Sequence, residues 1–400
     1  MLSASQESGM LDRLDRYVLR SFASSYAVAL LFIVGLMLVS TSLGQLDDFL
    51  QSQEELAQRG EDAGFVLHLL YYFALQIPLI FLGMGPFVTF FAGLFTALSL
   101  RRSHELAPVL GAGRSLQRLL LPALLGGLLA CGAMIALRET LLPPLLAAKD
   151  RVEARVTRGV SDYRLEKRWF RDQPDLFAGF ERYDPVAREI EGLTVSRHDE
   201  KGKELTLFAP RARFESTSGS RGVWRLLAQP PDAEQREGVP VRIHQKLEPG
   251  EESLAVPELI GGDLPGEVAR LWRVRFRPDD LVALDRLAED PVALSMGQVR
   301  RLRTFYPEDP RLETLALYGT SFPLAGLALL LLGLPGCVRL ERGGSDGVFG
   351  ALLACIAFFA TDLVCRDLGT QRVLHAMIAC FGPLAFFGSL GCARYAAMRS

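Results

Sequence analysis

The sequence lacks the signatures of several common protein classes. It contains no GxxxxGK[ST] motif, which excludes nucleotide binding through a P-loop. It has neither a run of basic residues nor zinc-finger spacing, which argues against a nucleic-acid partner. Cysteine is scarce, with six in the chain, and no two have CxxC spacing, so we predict neither a disulfide framework nor a metal site. No cofactor is expected.

Apolar sequence is abundant and lies in two blocks. Hydrophobic residues make up 49% of the 400 residues. Three long apolar runs precede residue 139 and three follow residue 311, each close to the roughly 20 residues that a helix needs to cross a bilayer. The second run is too long for one straight crossing, but Pro78 and Pro86 would leave halves too short for two, so we expect one kinked helix. We predict spans at residues 21–43, 65–100, 116–137, 315–334, 348–364 and 373–392.

The basic residues predict the orientation of these spans. Six crossings place both termini on one side of the membrane, and cytoplasmic loops carry an excess of lysine and arginine. The proposed cytoplasmic side holds eleven arginines: Arg13, Arg16, Arg20, Arg101, Arg102, Arg114, Arg118, Arg339, Arg342, Arg394 and Arg399. The opposite short loops hold three: Arg59, Arg366 and Arg372. We therefore expect cytoplasmic termini, with the region between spans three and four facing outward.

Residues 139–310 have the pattern of a separate β domain. Turn signals alternate with strand-like runs, and many short strands at this spacing predict a sandwich or jellyroll. The pattern becomes helical over residues 278–303, where the chain returns to the membrane. The predicted strands are Leu176–Phe180, Glu191–Ser196, Glu204–Ala209, Val223–Ala228 and Pro240–Gln245.

Residues 103–113, between spans two and three, predict a short helix on the cytoplasmic side. Ser103 can cap its start, Glu105 suits the first turn, and Gly111 or Gly113 can end it. A short helix in this place is the usual form of the element that couples an ABC permease to its ATPase. An ordinary amphipathic linker is the alternative on local signals alone.

This segment resembles the Ser-x-x-Glu-Leu…Gly-x-Ser signature of the lipopolysaccharide-export permeases, the LptF/LptG (YjgP/YjgQ) family. Other fragments resemble the family over nearly the whole chain. The matching positions are Ser99 or Ser103, Glu105, Leu106, Gly113 and Ser115 in this segment; Asp15, Arg16, Tyr17 and Arg20 before the first span; Pro78 and Pro86 in the second; Pro143 after the third; residues 192–195, 209–212 and Trp224 in the β region; and Pro323 and residues 332–335 in the fourth span.

The resemblance implies a fold of six transmembrane helices plus an all-β, periplasmic, jellyroll-like domain inserted between helices three and four. The halves would be residues 1–138 and 311–400, with the β domain at 139–310. The protein would lie in a bacterial inner membrane as a permease subunit of an ABC transporter that extracts lipopolysaccharide, or a related glycolipid, and would not itself be an enzyme. The implied partners are an LptB-like ATPase dimer, a paralogous permease, an LptC-like single-span protein and an LptA-like periplasmic bridge.

The resemblance and the charge pattern together suggest two groups of site residues. Ser103, Glu105, Leu106 and Gly113 would contact the ATPase. Cations at the outer ends of helices would suit lipid phosphates. We expect Arg138 to be the best of these, although snorkelling of an interfacial arginine is the alternative. The full phosphate set is Arg138, Lys149, Arg366 and Arg372.

Several features leave other interpretations open. Pro108 lies inside the predicted coupling helix, and residues 34–44 contain no lysine or arginine, both of which depart from the family pattern. Asp362 is the one acid inside a span, and we expect it to pair with Arg366 one turn later. A membrane scaffold that presents the β domain to envelope proteins is the main alternative function. A membrane-embedded hydrolase is a third, but no nucleophile and base are arranged for it.

Overall fold

The chain folds into two compact units, described here one at a time. The computed structural model describes residues 13–58, 64–103, 115–157, 165–185, 187–198, 204–215, 222–227, 242–245, 259–261, 267–271, 275–289, 294–338 and 344–398. The units divide between residues 159 and 160 and between residues 308 and 309. Our sequence boundaries, at 138/139 and 310/311, differ chiefly because a helix beyond residue 141 groups with the membrane helices.

The first unit is helical. Its elements are α1 (Arg13–Gly44), α2 (Leu46–Gln58), α3 (Phe65–Arg102), α4 (Leu116–Thr140), α5 (Leu142–Thr157), α8 (Pro310–Val338), α9 (Gly344–Thr370) and α10 (Ala376–Ala396). Among the described residues, six of these are long and apolar enough to cross a membrane: α1, α3, α4, α8, α9 and α10. The predicted fold class, six such helices with a β domain between the third and the fourth, is confirmed.

The second span is one unbroken helix. Phe65–Arg102 contains both Pro78 and Pro86 and runs for 38 residues, or about 57 Å at 1.5 Å per residue. Because a bilayer core is only about 30 Å thick, a substantial part of α3 must extend beyond it.

Two further helices, α2 and α5, lie where the sequence suggested loop or β structure. In α2, Phe49, Ser52 and Leu56 are buried at helical spacing. They belong to a cluster in which α2, the start of α3 and α5 pack together, with Tyr72 of α3 and Val152 of α5 as members. The acidic residues between the apolar positions of α2 conceal this pattern from a hydropathy scan.

Helix α8 is the centre of the membrane unit. In the most apolar 18-residue stretch of α8, 72% of the residues are buried. The corresponding share is 50% in α4 and lower in the other spans. Small residues allow close packing on it: a Cβ at Gly347 of α9 would lie 2.9 Å from the backbone carbonyl carbon of Gly336. Such small-residue contacts are typical of helix pairs in membranes, where no hydrophobic force draws helices together.

The second unit is built on one antiparallel sheet. Its strands are β1 (Leu165–Gln173), β2 (Leu176–Asp184), β3 (Glu189–His198), β4 (Glu204–Glu215), β5 (Val223–Leu227), β6 (Arg242–Gln245), β7 (Leu259–Gly261) and β8 (Glu267–Leu271). The strand order is β1-β2-β3-β4-β5-β8-β7, and β6 also pairs with β4. Two helices follow, α6 (Pro278–Glu289) and α7 (Met296–Phe305), and both contact β1.

The alternation of inward and outward side chains shifts at one level across β2, β3 and β4. Glu181, Gly192 and Pro210 lie at this level, between flanking pairs that stay in register. On either side of this level every second side chain points inward. At this level two residues, instead of one, separate successive inward side chains in all three strands. Gly192 has a φ of 67°, where a Cβ would be strained, and Pro210 has no N–H to donate. The sheet branches here: the first part of β4 pairs with β6 and the second with β5.

An aromatic core fills the second unit. The Trp224 indole is fully buried, contacts Tyr183, Phe214 and Phe276, and donates its Nε1–H to the Phe276 carbonyl at 3.2 Å. Asp172, also buried, accepts backbone N–H bonds from Arg275 and Phe276 at 2.8–3.0 Å. Burial nevertheless raises the pKa of Asp172, and those bonds oppose the rise. These contacts join the strand that enters the domain to the segment that leaves it.

Candidate functional site

Three of the four predicted phosphate-contacting cations lie in or beside the membrane helices. Arg138 is in the last turn of α4 and is only 7% exposed. It lies within electrostatic range of Glu139 and of Tyr318 on α8. Arg366 lies near the end of α9 and is half-buried. Arg372 is exposed in the turn after α9, with a φ of 61°.

Tyr318 of α8 contacts Arg366, one of these three cations. The Arg366 guanidinium lies over its ring, 4.7 Å from the centroid, a favourable cation–π arrangement. The Tyr318 hydroxyl donates to Oδ2 of buried Asp362 at 3.4 Å. The expected direct pair between Asp362 and Arg366 is not formed within 4 Å; the ring of Tyr318 holds the guanidinium, while its hydroxyl reaches the carboxylate.

Lys149 has a different environment. It lies on α5, and its Nζ pairs with Glu153 at 2.7 Å, one helical turn later. Burial would lower the pKa of Lys149, but the charges of Glu153 and Asp150 and the nearby Tyr72 raise it above its usual value. The lysine is therefore held protonated, with its charge largely compensated within the cluster of α2, α3 and α5.

The predicted coupling residues lie mostly outside the described residues. This holds for Glu105, Leu106 and Gly113. Ser103 is described: it is the C-cap of α3, and its hydroxyl donates to the Ser99 carbonyl at 3.0 Å. Its predicted role as the N-cap of the next helix concerns residues outside the described part.

The segment re-enters the described structure at Ser115, which begins α4. Its hydroxyl accepts the N–H of Arg118 at 3.4 Å, the geometry of an N-cap. The next residues, Gln117 and Arg118, bond to α10 and α1 respectively. Sequence reasoning missed these contacts and that of Tyr318, because single polar residues at span ends give no local signal of their partners.

Within the described residues, no cluster of three or more His, Cys, Asp or Glu could hold a metal ion.

Residues 16–228 and 282–397 match the family model described as lipopolysaccharide export system permease LptF/LptG. The chain belongs to the LptF/LptG family. No curated protein matches it. The matched segments include five spans in full and nearly all of α1, the strands β1–β5 and the predicted coupling segment, while the unmatched residues 229–281 include β6–β8.

Membership of the LptF/LptG family assigns the general class of this protein. It is a transporter permease of lipopolysaccharide export and not itself an enzyme. With six apolar helices among the residues that the structure describes, it is a multi-pass inner-membrane protein. The sequence resemblance to the family is thereby confirmed.

Proposed function

We propose that this chain is a permease subunit that extracts lipopolysaccharide, or a related glycolipid, from the inner membrane for delivery to a periplasmic bridge. A separate LptB-like ATPase dimer would supply the energy, with a paralogous permease and an LptC-like single-span protein completing the complex. The observation that carries the proposal is the family match over both helical halves and most of the β domain. The arginine bias supports cytoplasmic termini and a periplasmic β domain.

The proposal needs an apolar route for the lipid outside the bilayer. Exposing acyl chains to water costs about 0.8 kcal/mol per CH₂, so a chain of about a dozen CH₂ groups would cost roughly 10 kcal/mol. The inward positions of β2, β3 and β4 are apolar, among them Ala178, Phe180, Val195 and Leu207. These side chains are already buried within the domain, so we propose that the sheet opens along this face to receive the acyl chains.

We further propose that Arg138 and Arg366 bind lipid phosphate. The ring of Tyr318 supports Arg366, and Arg138 lies close enough to Tyr318 to interact with it electrostatically. Arginine suits phosphate because its planar fork can donate two hydrogen bonds at once. We assign Arg372 an outer, accessory role. We assign Lys149 a weaker one, since Glu153 already compensates its charge.

The Arg138→Ala variant tests the phosphate contact. We expect about three- to tenfold less photocrosslinking to lipopolysaccharide, the loss of one charge-assisted contact, with Arg138→Lys intermediate. Thermal unfolding in detergent, measured in parallel, separates loss of binding from loss of fold. Unchanged crosslinking would leave Arg138 as a snorkelling residue and remove it from the site.

A reconstituted complex tests the function as a whole. The wild-type chain, purified from native membranes with its partners, should contain an ATPase and release lipopolysaccharide from proteoliposomes only with ATP. Glu105→Ala should retain the fold and lower release per ATP by about tenfold, equivalent to about 1.4 kcal/mol of coupling. Glu54→Ala, which removes an exposed acid of α2, is the matched control and should match wild type. Purification without an ATPase would favour the scaffold function.

A further inference from the structure

The start of α4 is tied to two other helices by a small group of polar contacts, which we call the α4 clasp. Its members are Gln117 and Arg118 of α4, Asp15 of α1 and Tyr395 of α10. The clasp lies immediately after the segment that joins α3 to α4.

Gln117 links α4 to the end of α10. Its Nε2 lies 3.1 Å from the Tyr395 carbonyl, 3.2 Å from that of Ala396 and 3.3 Å from that of Met398. The carbonyl of Ala396 ends the helix and has no partner within it, so the amide satisfies a group that would otherwise need water. The Tyr395 carbonyl accepts the Met398 N–H as well, at 3.2 Å. In return the Tyr395 hydroxyl donates to the Gln117 carbonyl at 2.5 Å.

Arg118 links α4 to the start of α1. Its guanidinium bonds to Oδ2 of Asp15 at 3.0 Å. Asp15 is only 4% exposed, whereas about half of the Arg118 side chain is accessible. A buried carboxylate is costly without a partner, so this pair resists separation.

These bonds provide connections that apolar packing alone does not. Among the described residues, α4 packs along α1, α3 and α8 but shares no extended interface with α10. The link from α4 to α10 therefore depends on Gln117 and Tyr395. Ser115 caps the first turn of α4, and Gln117 and Arg118 both lie in that turn, so a displacement of the turn would move both links.

We infer that the α4 clasp transmits a displacement of the start of α4 to α1 and α10, with Gln117, Arg118, Asp15 and Tyr395 acting as positioning residues. This inference rests on the proposed coupling to an ATPase. It extends that proposal by naming the contacts through which force at the start of α4 would reach two spans besides its own. The clasp would be needed for lipid release but not for ATP hydrolysis or assembly.

Charge reversal at the salt bridge tests the inference. In the complex reconstituted with its ATPase, Asp15→Arg and Arg118→Asp should each lower lipopolysaccharide released per ATP hydrolysed by about fivefold or more. Copurification of the ATPase and the rate of ATP hydrolysis should stay near wild type. The double variant restores the pair with its charges exchanged and should recover release to within about twofold of wild type.

Milder variants keep the test valid if a reversed charge unfolds the protein. Tyr395→Phe removes one hydroxyl, and Arg118→Lys keeps the charge, so release per ATP should fall more in the first than in the second. Normal release per ATP in Tyr395→Phe and in Asp15→Asn, or no recovery in a folded double variant, would overturn the clasp. If Glu105→Ala uncouples while the clasp variants do not, only this inference fails; if wild type shows no ATP-driven release, the proposed function fails with it.

Discussion

Gly347→Ala is expected to destabilise the membrane unit by about 3 kcal/mol or more, the upper range for overpacking a tightly packed interior. The added methyl would lie 2.9 Å from the Gly336 carbonyl carbon and 3.3 Å from the Cys337 Cα. Both are backbone atoms, which cannot rotate away as a side chain would. Helices α8 and α9 must therefore separate, and separation removes contacts along the central helix of the unit. Thermal or denaturant unfolding in detergent, followed by circular dichroism, measures the effect.

Gly350→Ala is the matched control in the same helix. A Cβ at Gly350 meets no atom within 4 Å, so this variant should be neutral or gain up to about 1 kcal/mol from better helix propensity. The comparison removes the general effect of a Gly-to-Ala change in α9. Equal stability of the two variants would contradict the close approach of α8 and α9.

Trp224→Ala is expected to cost the β domain about 3–5 kcal/mol, the usual range for truncating a buried tryptophan. The change removes the ring at the centre of the aromatic core and leaves the Phe276 carbonyl without its indole donor. Because whole domains are often only 5–15 kcal/mol stable, most of the domain should become susceptible to protease. Limited proteolysis of the full chain, with hydrogen exchange over β2–β5, reports this directly.

Trp169→Ala provides the contrast for that experiment. Trp169 lies on β1, is 57% exposed and covers Gly179 rather than filling the core. Its removal should change the stability of the domain by no more than about 1 kcal/mol. A β domain that tolerates both changes equally would contradict the central position of Trp224.

Much of the fold could be predicted because each span has an apolar length that only a membrane explains. The elements that were missed lack that signal. In α2, charged residues separate the apolar positions, and in β1 charged residues fill most outward positions, so neither has a long apolar run. The strands β7 and β8 are three and five residues long, too short for a pattern to be distinguished from a loop.

The charges of the proposed phosphate site are visible in the sequence, but the geometry around them is not. A cation at the end of a span can be recognised in the sequence, and Arg138 and Arg366 are proposed as phosphate contacts on that basis. Tyr318 was missed because one aromatic in an apolar helix is typical of lipid-facing sequence. Its position between Asp362 and Arg366 depends on how α8 and α9 pack, which no local pattern encodes.

The uneven burial of the six spans also decides where reporter groups can be attached. Leu31 and Phe32 of α1 point away from the rest of the chain, so a spin label or fluorophore there would leave the packing within this chain untouched. The same probe in the middle of α8 would disrupt the packing of α8 against the neighbouring helices. Spectroscopic studies of the working transporter should therefore begin from α1.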